Sequence, residues 1–147
     1  MDVARSALLE YPVETMFDIV ERAEHYPDFL PWCAASRILE RSDDVVTAQI
    51  EVEYHGVRFS LVTRNPKRRP EWLAVRLEKG PFRRFEGDWR LTALAPGACK
   101  IAFEMHYEMA GPLARVATPV FDRIANTLVD AFVARAQTMR ATQGDLS

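Results

Sequence analysis

The chain is 147 residues long, 48% hydrophobic and 27% charged, with a formal net charge of −2. That length suits one domain, residues 1–147, able to bury a core without staples, and the near-neutral balance gives no global pull toward nucleic acid or anionic lipid. Cys33 and Cys99 are far apart and lack any CxxC or Cys/His spacing, so they read as two reduced thiols rather than a zinc site or a disulfide framework.

Val3 to Leu9 reads as a first strand. Pro12 then opens a helix at its first position, with Met16, Phe17, Ile19 and Val20 on the apolar face and Glu21, Arg22 and Glu24 on the wet one. His25 to Cys33 carries prolines at 27 and 31, which break helical continuity, yet it is rich in aromatic and apolar side chains. Such a loop is expected to fold onto an apolar surface.

From Ala34 to Met109 the hydrophobic period becomes two. Val46, Ala48, Ile50, Val52 and Tyr54 alternate with polar residues, and His55-Gly56 connects a hairpin to Val57, Phe59, Leu61 and Thr63. Asn65 to Pro70 reads as a turn, followed by Leu73, Val75 and Leu77 and a second turn at Lys79-Gly80-Pro81. Phe85, Gly87, Trp89 and Leu91 come next, then Ala95-Pro96-Gly97, then Ile101, Phe103, Met105, Tyr107 and Met109. This pattern predicts one antiparallel meander, apolar on one face and wet on the other, with Gly87 marking a bend.

Pro112 to Arg140 predicts a helix of roughly 40 Å whose sparse charges leave most of its circumference apolar. It needs cover on more than one side, and the apolar face of the sheet can provide it. Thr118 suits an N-cap, so Pro119 either starts the main helix or kinks a longer one; a kink is expected. Ala141 to Ser147 is polar and expected to fray. The fold class is α+β. The N-terminus shows no positive region followed by an apolar run, so no signal peptide is expected. No uncharged run reaches the ~18 residues of a membrane span.

Motifs for catalysis are sparse. His25, His55 and His106 are isolated, and surface histidines are the better reading of each. Glu51 and Glu53 share a polar strand face, and Cys33 follows two apolar residues, which favours a buried small hydrophobe over a nucleophile. There is no GxSxG, HExxH, P-loop or GxGxxG pattern. Two basic clusters, Lys67-Arg68-Arg69 and Arg83-Arg84, read as solvated turns, or alternatively as contacts for ribosomal RNA or membrane head groups. The apolar excess points either to a well-packed core or to a ligand cavity. Its candidate lining is Tyr26, Phe29, Leu30 and Trp32 from the loop, and Tyr54, Phe59, Leu61, Val75, Phe82, Phe85, Trp89, Phe103, Met105 and Tyr107 from the sheet region. Val120, Phe121, Ile124 and Leu128 would close it from the helix.

Several stretches together resemble one family: Arg5 to Leu9, Tyr26 to Cys33 with Ser36 to Glu40 after it, Gly80-Pro81-Phe82-Arg83 leading to Gly87-Asp88-Trp89, and Val120 to Asn126 with Ala131 to Ala136. The chain is similar there to the coenzyme-Q-binding protein and ribosome-association toxin family, within the polyketide cyclase/dehydrase and lipid-transport (START-like) superfamily. The resemblance runs from about Val3 to Arg140. It implies a helix-grip fold, in which a curved antiparallel sheet wraps a long C-terminal helix around an apolar cavity. The implied role is non-enzymatic binding of ubiquinone or a similar isoprenoid or lipid in support of respiration, with no cofactor required. Other members imply a toxin that binds the large ribosomal subunit and blocks subunit joining, and distant ones imply a polyketide cyclase or dehydratase. Tyr54, Trp89 and Tyr107 are the polar-tipped candidates for a head group. Because the chain lacks the transit peptide of mitochondrial members, a cytoplasmic location is expected, with transient inner-membrane contact as an extension.

Overall fold

The computed structural model describes the backbone of residues 2–146 and the side chains of residues 2–141. The tail expected to fray, 141–147, instead continues the last helix in its backbone as far as Leu146, and its side chains are described only at Ala141. The elements run β1 (Asp2–Leu9), α1 (Val13–Glu21), a 3-10 helix (Ala23–Asp28), β2 (Cys33–Arg41), β3 (Val45–Tyr54), β4 (Val57–Arg68), β5 (Trp72–Lys79), β6 (Phe82–Ala95), β7 (Ala98–Met109) and α2 (Ala114–Leu146). The seven strands form one curved sheet in the order β1-β7-β6-β5-β4-β3-β2, each pair antiparallel. Strands β1 and β2, consecutive in the chain, thus sit at opposite edges, and residues 10–32 carry the chain from one edge to the other.

The alternation read from the sequence sets which side faces α2. Along β7, Cys99, Ile101, Phe103, Met105, Tyr107 and Met109 are buried, while Lys100, Glu104 and Glu108 are exposed. On α2, Ala117, Phe121, Ile124, Ala125, Val129 and Phe132 are buried at helical spacing and face that layer. Burying Phe17, Leu73, Ile101, Tyr107 and Phe132 almost completely gains about 1.5–3 kcal/mol per large apolar side chain, which fixes sheet and helix together.

Four local expectations are corrected. Asn65 to Pro70 is not all turn: β4 continues to Arg68. The β4–β5 register passes from Arg64↔Arg76 to Lys67↔Leu73 and skips Asn65 and Pro66, so the proline falls where that ladder needs no donor. Pro12 precedes α1 as its cap residue, with ψ of 143°, rather than occupying the first turn. Thr118 is inside α2 and donates its hydroxyl to the Ala114 carbonyl at 2.6 Å. The helix starts instead around the Gly111 and Leu113 carbonyls, which accept from Ala114 and Ala117, and Pro119 sits in its second turn without ending it. Glu21, expected on the wet face of α1, is buried.

Candidate functional site

A cavity of ≈ 90 Å³ lies between the concave face of the sheet and α2. Cross-strand register builds its floor in rows. Leu73, Trp89 and Phe103 form one row across β5, β6 and β7, and Val75, Gly87 and Met105 form the next. Ile50 opposite Leu61 and Ala48 opposite Thr63 extend the floor through β3 and β4. Phe121, Ile124, Ala125, Leu128 and Phe132 form the roof. Ala23, Tyr26 and Trp32, on the 3-10 helix and the loop after it, close one side.

Gly87 contributes by what it lacks. A Cβ there would stand 3.4 Å from Val75 Cβ and 3.5 Å from a Phe103 ring carbon, ordinary contact distances. Any larger side chain would project into the open space. The glycine read as marking a bend also lines the cavity.

Of the candidate residues, Tyr26, Trp32, Leu61, Val75, Phe85 and Trp89 line the cavity, as do Phe103, Met105, Phe121, Ile124 and Leu128. The others lie elsewhere. Phe29 packs edge-on to Tyr26 and Phe132 beneath the Arg135 guanidinium, and Leu30 is buried among the core residues. Tyr54 is half-buried at the hairpin, its ring against His55. Phe59 and Phe82 stack with each other and with Phe121. Val120 is half-buried and packs against the core. The Tyr107 hydroxyl donates to Asp122, and burial and that carboxylate push its phenol pKa up.

Sequence reasoning left out Ile50, Val52, Leu73 and Phe132, which carried the right alternation or helical spacing, and Thr63 and Asn65, whose polarity hid them. Asn65 is 8% exposed, lines the cavity, and its Oδ1 has no hydrogen-bonding partner among the described residues. Two residues on, Lys67 Nζ lies 3.2 Å from Glu21 Oε1. Glu21 also accepts from Arg41 Nε at 2.9 Å, and Arg41 makes a two-pronged contact with Glu24. The Arg41 hydrogen bond holds the Glu24 carboxyl below its ordinary pKa. Tyr26, a titratable group on the wall, donates its hydroxyl to the Val20 carbonyl, and burial raises its pKa. Cys33 and Cys99 are both buried and free, and desolvation pushes the Cys33 thiol up to about 11.

The basic clusters are not bare. Lys67 is held by Glu21, and Arg69 clamps Asp18 with both prongs at 2.8 and 3.0 Å. Arg68 lies 3.8 Å from Glu71, Arg83 2.9 Å from Glu108 and Arg84 3.6 Å from Glu86. Lys67 in particular is anchored inward rather than offered to a partner.

Residues 9–133 match the family model described as polyketide cyclase / dehydrase and lipid transport. The chain is 40% identical over 138 residues to "Ribosome association toxin RatA" of Pseudomonas aeruginosa, covering 93% of this chain and 96% of that one. It is 27% identical to "Coenzyme Q-binding protein COQ10 homolog B, mitochondrial" of Xenopus laevis, covering 92% of this chain and 58% of that one. Among solved structures, a START superfamily protein from Mycobacterium smegmatis superposes with a TM-score of 0.75 at 19% identity, covering 94% of this chain and 98% of that one. The Zhui aromatase/cyclase from a Streptomyces species superposes with a TM-score of 0.74 at 17% identity, covering 93% of each chain. Both show the same helix-grip architecture.

Proposed function

Because the chain belongs to the polyketide cyclase/dehydrase and lipid transport family, we propose that it binds ubiquinone or a similar isoprenoid or lipid between sheet and helix. In this proposal it acts without catalysing a reaction and supports respiration from the cytoplasm, touching the inner membrane transiently. The supporting observation is the apolar cavity, floored by Leu73, Trp89 and Phe103 and roofed by Phe121, Ile124 and Phe132. Each Å² of apolar ligand surface buried there gains about 25 cal/mol, so a long tail outweighs a few polar contacts. At ≈ 90 Å³ the resting space is below the roughly 300–1,000 Å³ of small-molecule sites. Entry of an isoprenoid therefore requires the roof or the 3-10 helix to move outward. The test is organic extraction of the purified protein with mass spectrometry, then titration of ubiquinone analogues followed through quenching of Trp32 and Trp89. Saturable binding supports the proposal; no extractable apolar molecule together with no saturation removes it.

The 40% identity to a ribosome association toxin favours a second reading, binding to the large ribosomal subunit with block of subunit joining. Arg68, Arg83 and Arg84 are the exposed members of the basic clusters that lack the two-pronged clamp by which the equally exposed Arg69 holds Asp18. Co-sedimentation that weakens with salt and with reversal of these three charges supports that contact. Sedimentation insensitive to both removes the basic clusters from it. A cyclase or dehydratase would have to work through Tyr26, whose raised pKa disfavours a role as base.

A further inference from the structure

The inward face of β4 runs from apolar to polar to charged: Leu61, Thr63, Asn65, Lys67. The first three line the cavity, and the fourth is tied to Glu21 at 3.2 Å. Asn65 lines the cavity where the β4–β5 ladder skips it, and its side-chain oxygen is buried with no hydrogen-bond partner among the described residues. A buried acceptor without a partner carries its full desolvation cost, so its retention at a cavity wall calls for an occupant that repays it.

We propose that Asn65 is the polar anchor of the cavity and takes the hydroxyl of an otherwise apolar ligand, with Thr63 beside it. The inference rests on the reading of the cavity as a ligand site. Charge decides against a carboxylate head. The two cations nearby, Lys67 and Arg41, are matched by Glu21 and Glu24, so that end of the fold offers no surplus positive charge. Hydrogen-bond polarity decides between the two oxidation states of a quinone-type ligand. The orphan oxygen accepts from the hydroxyl of a hydroquinone, whereas a quinone carbonyl offers it no proton and could engage only the amide NH2, leaving that oxygen unmet. An isoprenoid alcohol carries the same hydroxyl chemistry on a different body.

The experiment measures dissociation constants for four probes with matched short isoprenoid tails: a hydroquinone kept reduced under argon, its quinone, an alcohol and a hydrocarbon with no head group. Wild type is compared with Asn65→Leu, and with Asn65→Ala should the leucine variant fail to fold. The hydroquinone is expected to bind about tenfold more tightly than the quinone, the effect of one hydrogen bond to an otherwise unsatisfied group. Asn65→Leu should erase that advantage, leave the hydrocarbon unaffected and raise Tm, since it removes an unsatisfied buried oxygen. An alcohol that shares the advantage identifies the hydroxyl alone as the recognised group; an alcohol that does not assigns recognition to the aromatic hydroquinone. Equal binding of hydroquinone and quinone, tighter binding of the quinone, or an advantage that survives in both variants would overturn the anchor while leaving the cavity reading intact. Failure of every probe, hydrocarbon included, would sink both.

Discussion

Lys67 Nζ meets Glu21 Oε1 at 3.2 Å with both side chains almost fully buried, 10% and 9% exposed. The pair joins the end of β4 to the end of α1, and Arg41 on β2 closes it from the far edge of the sheet. Removing one member leaves a desolvated charge short of a partner, which costs about 3–5 kcal/mol. Lys67→Met is therefore expected to lower stability near the low end of that range, because Arg41 still serves Glu21. Urea denaturation measures it. In a double-mutant cycle, Glu21→Gln with Lys67→Met should cost less than the two single changes added; strict additivity would mean that the pair is not coupled.

Acid and alkali should each destabilise the fold, for different reasons. The Glu24 carboxyl is depressed in the folded chain, so its contribution is full above the ordinary carboxylate pKa and fades as pH falls through the folded value. Tyr26 and Tyr107 are raised, so the folded chain holds protons that the unfolded chain gives up, and stability falls above the ordinary phenol pKa of about 10. Urea midpoints between pH 3 and 11 should trace a plateau with a fall at each end. A midpoint unchanged from pH 7 to 11 would contradict the alkaline limb.

Two substitutions should move the cavity in opposite directions. Phe132 is 1% exposed and packs edge-on to Tyr26, Phe29 and Trp89. Phe132→Ala is expected to cost about 3–5 kcal/mol and enlarge the space, and a saturating apolar probe should recover part of the loss. Gly87→Leu fills the same space from the floor and should weaken probe binding with a stability change of about 1–3 kcal/mol, whereas Gly87→Ala should be tolerated. Unchanged binding in Gly87→Leu would place the ligand elsewhere.

Cys33 should label slowly. Its thiol is buried and shifted up to about 11, so little thiolate exists at pH 8. Alkylation at pH 8 is expected to be at least about tenfold slower than that of an unfolded cysteine peptide, and faster in mild urea. A peptide-like rate in native buffer would show that the Trp32–Cys33 segment opens readily.

The fold was largely legible because its two periods are clean: residues alternate along β7 and recur at helical spacing along α2. The apolar wall followed from the same pattern. What stayed hidden was polar and non-local. Asn65 and Lys67 carry turn-like and solvent-like chemistry, and only the pairing of β4 with β3 and the arrival of Glu21 from α1 turn them inward. Glu21 itself lies 46 residues from Lys67, so no local window could join them. Thr118 has the chemistry of a cap, but its hydroxyl finds the Ala114 carbonyl because the helix had already begun. Gly87 signals a missing side chain in the sequence; only the rows around it show that the missing volume belongs to the cavity.

The strand order has a mechanical consequence. Since β1 and β2 are the outermost strands, residues 10–32 connect the two rims of the curved sheet as a string connects the tips of a bow. A bulky guest that flattens the sheet drives the rims apart and puts that string under tension, while a small one leaves it slack. In the proposed ligand-binding role, guest size would thereby be read out as displacement of α1 and the 3-10 helix, the two elements of that string.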